Sequence, residues 1–132
     1  MAINPVIRYM LLCDDWHLDL DHRKRVTIVG LISNLRATDE PPFPLLYEEL
    51  CVFLALTNGH GRGEGQIVCI HEATEHCAFV TPSRAIEFGL DPLEIVGVSF
   101  RIRNILFTLP GLYSIQFWFD GEMLAERPLR WR

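Results

Sequence analysis

The stretch Tyr113-Ser-Ile-Gln-Phe-Trp-Phe119-Asp120-Gly121-Glu-Met-Leu-Ala-Glu126 decides the fold class. Tyr113, Ile115, Phe117 and Phe119 fall on every second position, the period of a strand that buries one face. The run stops at Asp120-Gly121. Asp-Gly tolerates positive φ at both central positions of a two-residue turn, and that turn matches the right-handed twist of two antiparallel strands. A closing hairpin is therefore predicted, with Tyr113 to Phe119 against Met123 to Trp131.

The same grammar extends upstream. Short runs rich in Val, Ile, Leu, Phe and Tyr are separated by clusters of Gly, Pro, Asn and Asp. Strands are predicted at roughly Val6 to Cys13, Arg25 to Ser33, Leu50 to Thr57, Gly65 to Glu72, Cys77 to Val80 and Ile95 to Phe107, the last with an interruption. Helical periodicity is nearly absent. At most one short helical turn fits, Ser83 to Phe88, with Ser83 as cap and Gly89 as stop. Without crossover helices the pairing should be antiparallel. The expectation is one domain over 1–132, an all-β, antiparallel β-sandwich of immunoglobulin-like or Greek-key type with about seven to eight strands.

The connections refine this picture. Asn58 to Gly65, with glycines at 59, 61, 63 and 65, reads as a flexible hairpin loop. Asp14 to Lys24 reads as a polar connection, and Asp39 to Pro44 as a crossing between sheets. Within Ile95 to Phe107 the apolar parity changes, from Val96, Val98, Phe100 and Ile102 to Ile105 and Phe107. A bulge or bend near Arg103-Asn104 would reconcile the two registers. Tyr113, just after Pro110-Gly111, is placed like a tyrosine corner, whose phenol bonds back to loop backbone.

These features together resemble a known family of short, uncharacterised bacterial proteins, most of them single domains. The resemblance covers nearly the whole chain. It is carried by Leu11-Leu-Cys-Asp14, Val26-Thr-Ile-Val-Gly-Leu-Ile32, the proline-containing crossing, and Pro110-Gly-Leu-Tyr113 with Asp120-Gly121 and Arg127-Pro-Leu129. It implies a sandwich domain and transfers no catalytic, cofactor or partner assignment.

Composition narrows the function classes. The 132 residues are 49% hydrophobic and 22% charged, a globular balance for a chain long enough to bury its own core. A net charge of −5 argues against a nucleic-acid partner, because such binding rests on Lys and Arg neutralising phosphates. The early apolar run is broken by Arg8 and then Asp14-Asp15, so neither a secretory leader nor a membrane span is expected, and the reading is cytoplasmic. Cys13, Cys51, Cys69 and Cys77 lie in or beside apolar runs and are read as reduced and buried.

Candidate chemistry is sparse. Cys69-Ile-His71-Glu72-Ala-Thr-Glu75-His76-Cys77 concentrates zinc-type ligands, and Cys69 and His71 share one face of a strand. His71 and His76 are five positions apart, which fits neither the direct nor the inverted zincin motif. The segment therefore supports either a strand-and-turn metal site or a polar hairpin turn. The alternating glycines lack the Gly-Lys-Ser/Thr of a phosphate loop. Asp14, Asp15, Asp19 and Asp21 lack the Gly and closing Glu of a calcium loop. No Gly-x-Ser-x-Gly elbow is present. Arg101, Arg103, Arg127, Arg130 and Arg132 could form one basic stripe, either for an anionic partner or as protection of a sheet edge. No catalytic residue and no cofactor is assigned.

Two strands are apolar on both parities. Val26, Ile28 and Ile32 are matched by Val29 and Leu31, and Val52, Leu54 and Leu56 by Cys51, Phe53 and Ala55. Trp118 opposes the parity of its neighbours, and Trp131 lies near the terminus. Either loops or another subunit should cover such faces. The leading expectation is a non-catalytic interaction module that self-associates. The alternative is a metal-binding protein or metal-dependent enzyme built on the His71-His76 region.

Overall fold

Two sheets face each other across an aromatic core in the computed structural model, which describes residues 4–18, 25–38 and 40–132. The described residues form ten strands: β1 (Val6–Leu18), β2 (Val26–Leu31), β3 (Asn34–Leu35), β4 (Leu45–Thr57), β5 (Arg62–His71), β6 (Cys77–Val80), β7 (Arg84–Glu87), β8 (Val96–Phe107), β9 (Gly111–Phe119) and β10 (Glu122–Trp131). One sheet has the order β2-β1-β4-β8, and the other β3-β10-β9-β5-β6 with β7 also paired to β5. The class is the expected all-β sandwich, with ten strands in place of seven to eight.

The deciding hairpin forms as its sequence requires. Asp120 and Gly121 take φ of 49° and 79°, and Glu122 pairs with Phe119 directly after them. Asp120 also ties the turn to β5, since the Glu64 amide donates to its carboxylate at 2.8 Å. Alternation then buries Tyr113, Ile115, Phe117 and Phe119 against Leu50, Val52, Leu54 and Leu56 of β4 in the same core. Phe107 of β8 bridges the layers, its ring 5.0 Å from Tyr113 and 5.3 Å from Trp131. The Tyr113 hydroxyl donates to the Leu109 carbonyl at 2.7 Å, the bond of a tyrosine corner.

Several expectations are corrected. Ser83 to Phe88 holds no helical turn: Arg84–Glu87 is strand β7, with Ile86 alone of its residues buried. Pairing with β5 overrides the local cap and stop signals, because Ile86 seats directly over the space left by Gly65. The glycine run is likewise no flexible loop throughout. β5 begins at Arg62, and a Cβ on Gly63 would come within 2.1 Å of the Phe119 ring, so Gly63 is a packing requirement. The parity change in β8 occurs without any slip in its pairing with β4, which runs from Leu45 opposite Phe107 to Leu56 opposite Val96. Of the two expected devices it is a bend and not a bulge: Asn104 takes φ of 54°, and β4 changes its buried parity at the same level.

The remaining differences concern extent and direction. β1 continues through Leu18 into the expected polar connection, and residues 19–24 of that connection lie outside the described residues. β3 runs parallel to β10, with Asn34 opposite Arg130, the one exception to antiparallel pairing among the described strands. The proline-rich segment does join one sheet to the other, since β3 and β4 belong to different sheets; Asp39 at its start lies outside the described residues. No helix among the described residues is long and apolar enough to cross a membrane.

Candidate functional site

The four residues of the metal hypothesis do not converge. Cys69 is buried on the core side of β5, and burial pushes its thiol up to about 12. Cys77 is exposed at the start of β6, which corrects the expectation that all four cysteines are buried. His71 is buried and fully engaged by its own chain. Its Nε2 lies 2.9 Å from the Pro110 carbonyl, which can only accept, so the ring proton sits there. Nδ1 is then the acceptor for the Thr74 hydroxyl at 2.8 Å. The ring packs edge-on to Tyr113 and clamps the turn after His71 to the β8–β9 connection. His76 is exposed. Among the described residues, no three His, Cys, Asp or Glu side chains are placed to hold a metal ion.

Cys13 and Cys51 lie directly opposite one another on β1 and β4, both fully buried. Burial raises both thiols, that of Cys51 to about 12, so neither is a ready thiolate nucleophile near neutral pH. Of the acidic cluster, Asp14 accepts from the Tyr47 hydroxyl at 3.2 Å and Asp15 bonds Arg101 at 2.6 Å. Asp19 and Asp21 lie outside the described residues. The basic stripe is not one surface: Arg101 and Arg103 are on β8, whereas Arg127 and Arg130 are on β10 in the other sheet, with Arg132 just beyond it. Trp118 is half-buried and donates to the Gln116 side chain at 2.9 Å, while Trp131 is buried in the core.

Among the described residues the four-stranded sheet ends in two open edges, β2 and β8, as the other sheet ends in β3 and β6. β2 and β8 differ in chemistry. β2 exposes five of its six residues, including Val26, Val29 and Leu31, the last at 70%. Gly30, within it, takes φ of 65° and lies where a Cβ would meet the Asp14 carboxylate. β8 carries Arg101 and Arg103, with salt bridges to Asp15 and Glu49. Beside it, β6 and the β6–β7 connection form the far wall of an open cleft of about 470 Å³, lined by Phe79, Val80, Arg84, Phe100, Ile102 and Arg103 among others. Arg84 donates to the Ser99 carbonyl and lies 5.8 Å from the Phe100 ring centroid. Sequence reasoning passed over Arg84, because reading its segment as a helical turn took it away from any sheet edge.

No curated protein sequence matches the chain. Among solved structures, the alkylpurine DNA glycosylase AlkC of Pseudomonas fluorescens, bound to DNA containing an abasic site analog, is similar in fold, with a TM-score of 0.57 and 13% identity over 97% of this chain. A β-glucosidase of Listeria innocua is similar with a TM-score of 0.51 and 12% identity, over 93% of this chain in its isofagomine complex and 76% in a laminaribiose complex of a mutant. The chain spans 30% of the glycosylase and 14–16% of the glucosidase chains, so these likenesses concern a part of each and the fold alone. The resemblance read from the sequence is met by a family match over residues 8–132, and the chain belongs to DUF6941, a family of unknown function.

Proposed function

We propose that this domain is a non-catalytic protein-interaction module that self-associates through β2. The observation that carries this reading is the apolar character of that edge and its exposure among the described residues. Sheet edges of soluble proteins are normally guarded by charge, proline or a covering loop. β2 has Val26, Val29 and Leu31 exposed and pairs only with β1 among the described strands. A second copy placed antiparallel against it would satisfy the open main-chain groups and cover those side chains, joining two four-stranded sheets about a two-fold axis. The four free thiols agree with a cytoplasmic setting, where reducing conditions keep them so.

Sedimentation velocity tests the reading. The natural chain should form a dimer that dissociates on dilution through the micromolar range, and Leu31→Glu should give a monomer that melts as the dilute, dissociated natural chain does. A strictly monomeric natural chain at high micromolar concentration removes the proposal.

A further inference from the structure

We propose that the opposite edge, β8 with its adjoining cleft, receives an extended acidic peptide segment of another protein, which adds to the four-stranded sheet as its next strand. β8 is 12 residues long and pairs with β4 alone in its sheet. The Ser99 carbonyl takes a hydrogen bond from Arg84 and so faces away from β4, into the cleft. Main-chain groups of an antiparallel strand alternate in direction, so the amides and carbonyls of Gly97 and Arg101 face the same way as those of Ser99. The Ser99 carbonyl is held by Arg84, so an incoming strand would pair with the Ser99 amide and with the amides and carbonyls of Gly97 and Arg101.

The side chains beside this edge specify the occupant. Phe79, Val80, Phe100 and Ile102 give the cleft apolar walls, and Arg84, Arg101 and Arg103 bring three cations. No carboxylate of the described residues lines it, although the whole chain carries a net charge of −5. Asp15 and Glu49, which pair with Arg101 and Arg103, are not among the lining residues. Arg84 forms no salt bridge with any described residue. A cationic rim above an apolar floor, along an open strand edge, fits a peptide that alternates acidic and apolar side chains. One set would meet the arginines and the other the cleft walls. A nucleic acid fits less well: three arginines offer few phosphate contacts, and the remaining charge of the molecule repels a polyanion.

The probe is a fluorescein-labelled peptide with Glu and Val alternating over about ten residues, titrated into the full-length protein and followed by anisotropy. Saturable binding is expected, weakened at least about tenfold by Arg84→Glu and largely kept by Arg84→Lys, with affinity falling as salt is raised. Hydrogen exchange should slow at the Ser99 and Arg101 amides when the peptide is bound. Ser99→Pro deletes one of those outward amides where no β4 bond depends on it, so the variant should fold and lose the peptide. The proposal is overturned if the Glu-Val peptide does not bind, or if a Lys-Val peptide binds equally. It is also overturned by binding without protection of β8 amides, or by full competition from single-stranded DNA. A dimer that protects β8 instead of β2 would show that the edge belongs to a second copy and would equally overturn it.

Discussion

β4 and β2 carry the same sequence signature and meet opposite fates. Both are apolar on both parities, yet β4 is buried on both faces from Leu50 through Thr57, whereas β2 leaves every residue but Ile28 exposed. The difference lies in neighbours. β4 is central, flanked by β1 and β8, and the end of β1 brings Trp16 to within 5.3 Å of Phe53 between ring centroids. Arg101 reaches over the same region, donating to the Trp16 carbonyl at 3.3 Å and bonding Asp15. β2 has β1 on one side only and no layer above it among the described residues. Two-sided hydrophobicity thus marks strands that need a cover, and topology decides whether the chain supplies the cover itself.

Substitutions can break this contrast. The largest effect is expected on the outer face of β4: Phe53→Ala should cost about 3 kcal/mol by urea unfolding, the usual scale for emptying a buried aromatic site. If that change proves as mild as Leu31→Ala, Phe53 is not sealed within the protomer and the contrast fails. Next is the cover itself. A double-mutant cycle with Trp16→Ala and Phe53→Ala should return a coupling of about 1 kcal/mol, as for paired aromatic rings. Additive costs would mean that Trp16 does not provide the seal.

A smaller effect comes from the ion pair that holds the end of β1 near β8. The Arg101 guanidinium hydrogen-bonds Asp15 and keeps its carboxyl below the ordinary 3.8. A carboxylate depressed in the fold stabilises it above the unfolded value and ceases to do so as pH falls through the folded value. Melting curves from about pH 6 to about pH 2 should therefore decline in part through Asp15, and Asp15→Asn should flatten that part. An identical profile for the variant would show that the pair contributes nothing. Smallest of all, Leu31→Glu should change the unfolding free energy of the dilute monomer by less than about 0.5 kcal/mol, as at other exposed positions. A large loss would place Leu31 in a core and bring β2 into line with β4.

Much of the architecture was legible because its signals are local. The period of two in Tyr113 to Phe119, the Asp120-Gly121 turn and the Tyr113 corner each depend on adjacent residues, and all three stand in the structure. The misreadings share one cause, that the deciding partner is distant in sequence. Ser83 and Gly89 bracket a plausible turn, but β7 is a strand because it pairs with β5 and Gly65 leaves room there for Ile86. Those glycines look like flexibility until Phe119 and Ile86 are seen to fill the space above them. His71 looked like a ligand because nothing in its neighbourhood announces Pro110 as the acceptor for its ring. The two open edges were out of reach altogether, since no strand's sequence says which position it takes in a sheet. β2 was legible as a problem of cover, and β8 as a run of arginines on the wrong surface.

The order β2-β1-β4-β8 sets the apolar and the cationic edges at opposite ends of one sheet. Two such sheets joined at β2 would make a continuous ribbon of eight strands whose outermost strands are both β8. With neighbouring strands about 4.8 Å apart, those two rims would stand roughly 34 Å from each other. Such a ribbon works as a molecular ruler: a ligand carrying two acidic segments with that span between them would be gripped at both rims and held by avidity, while a ligand with a single segment would exchange freely.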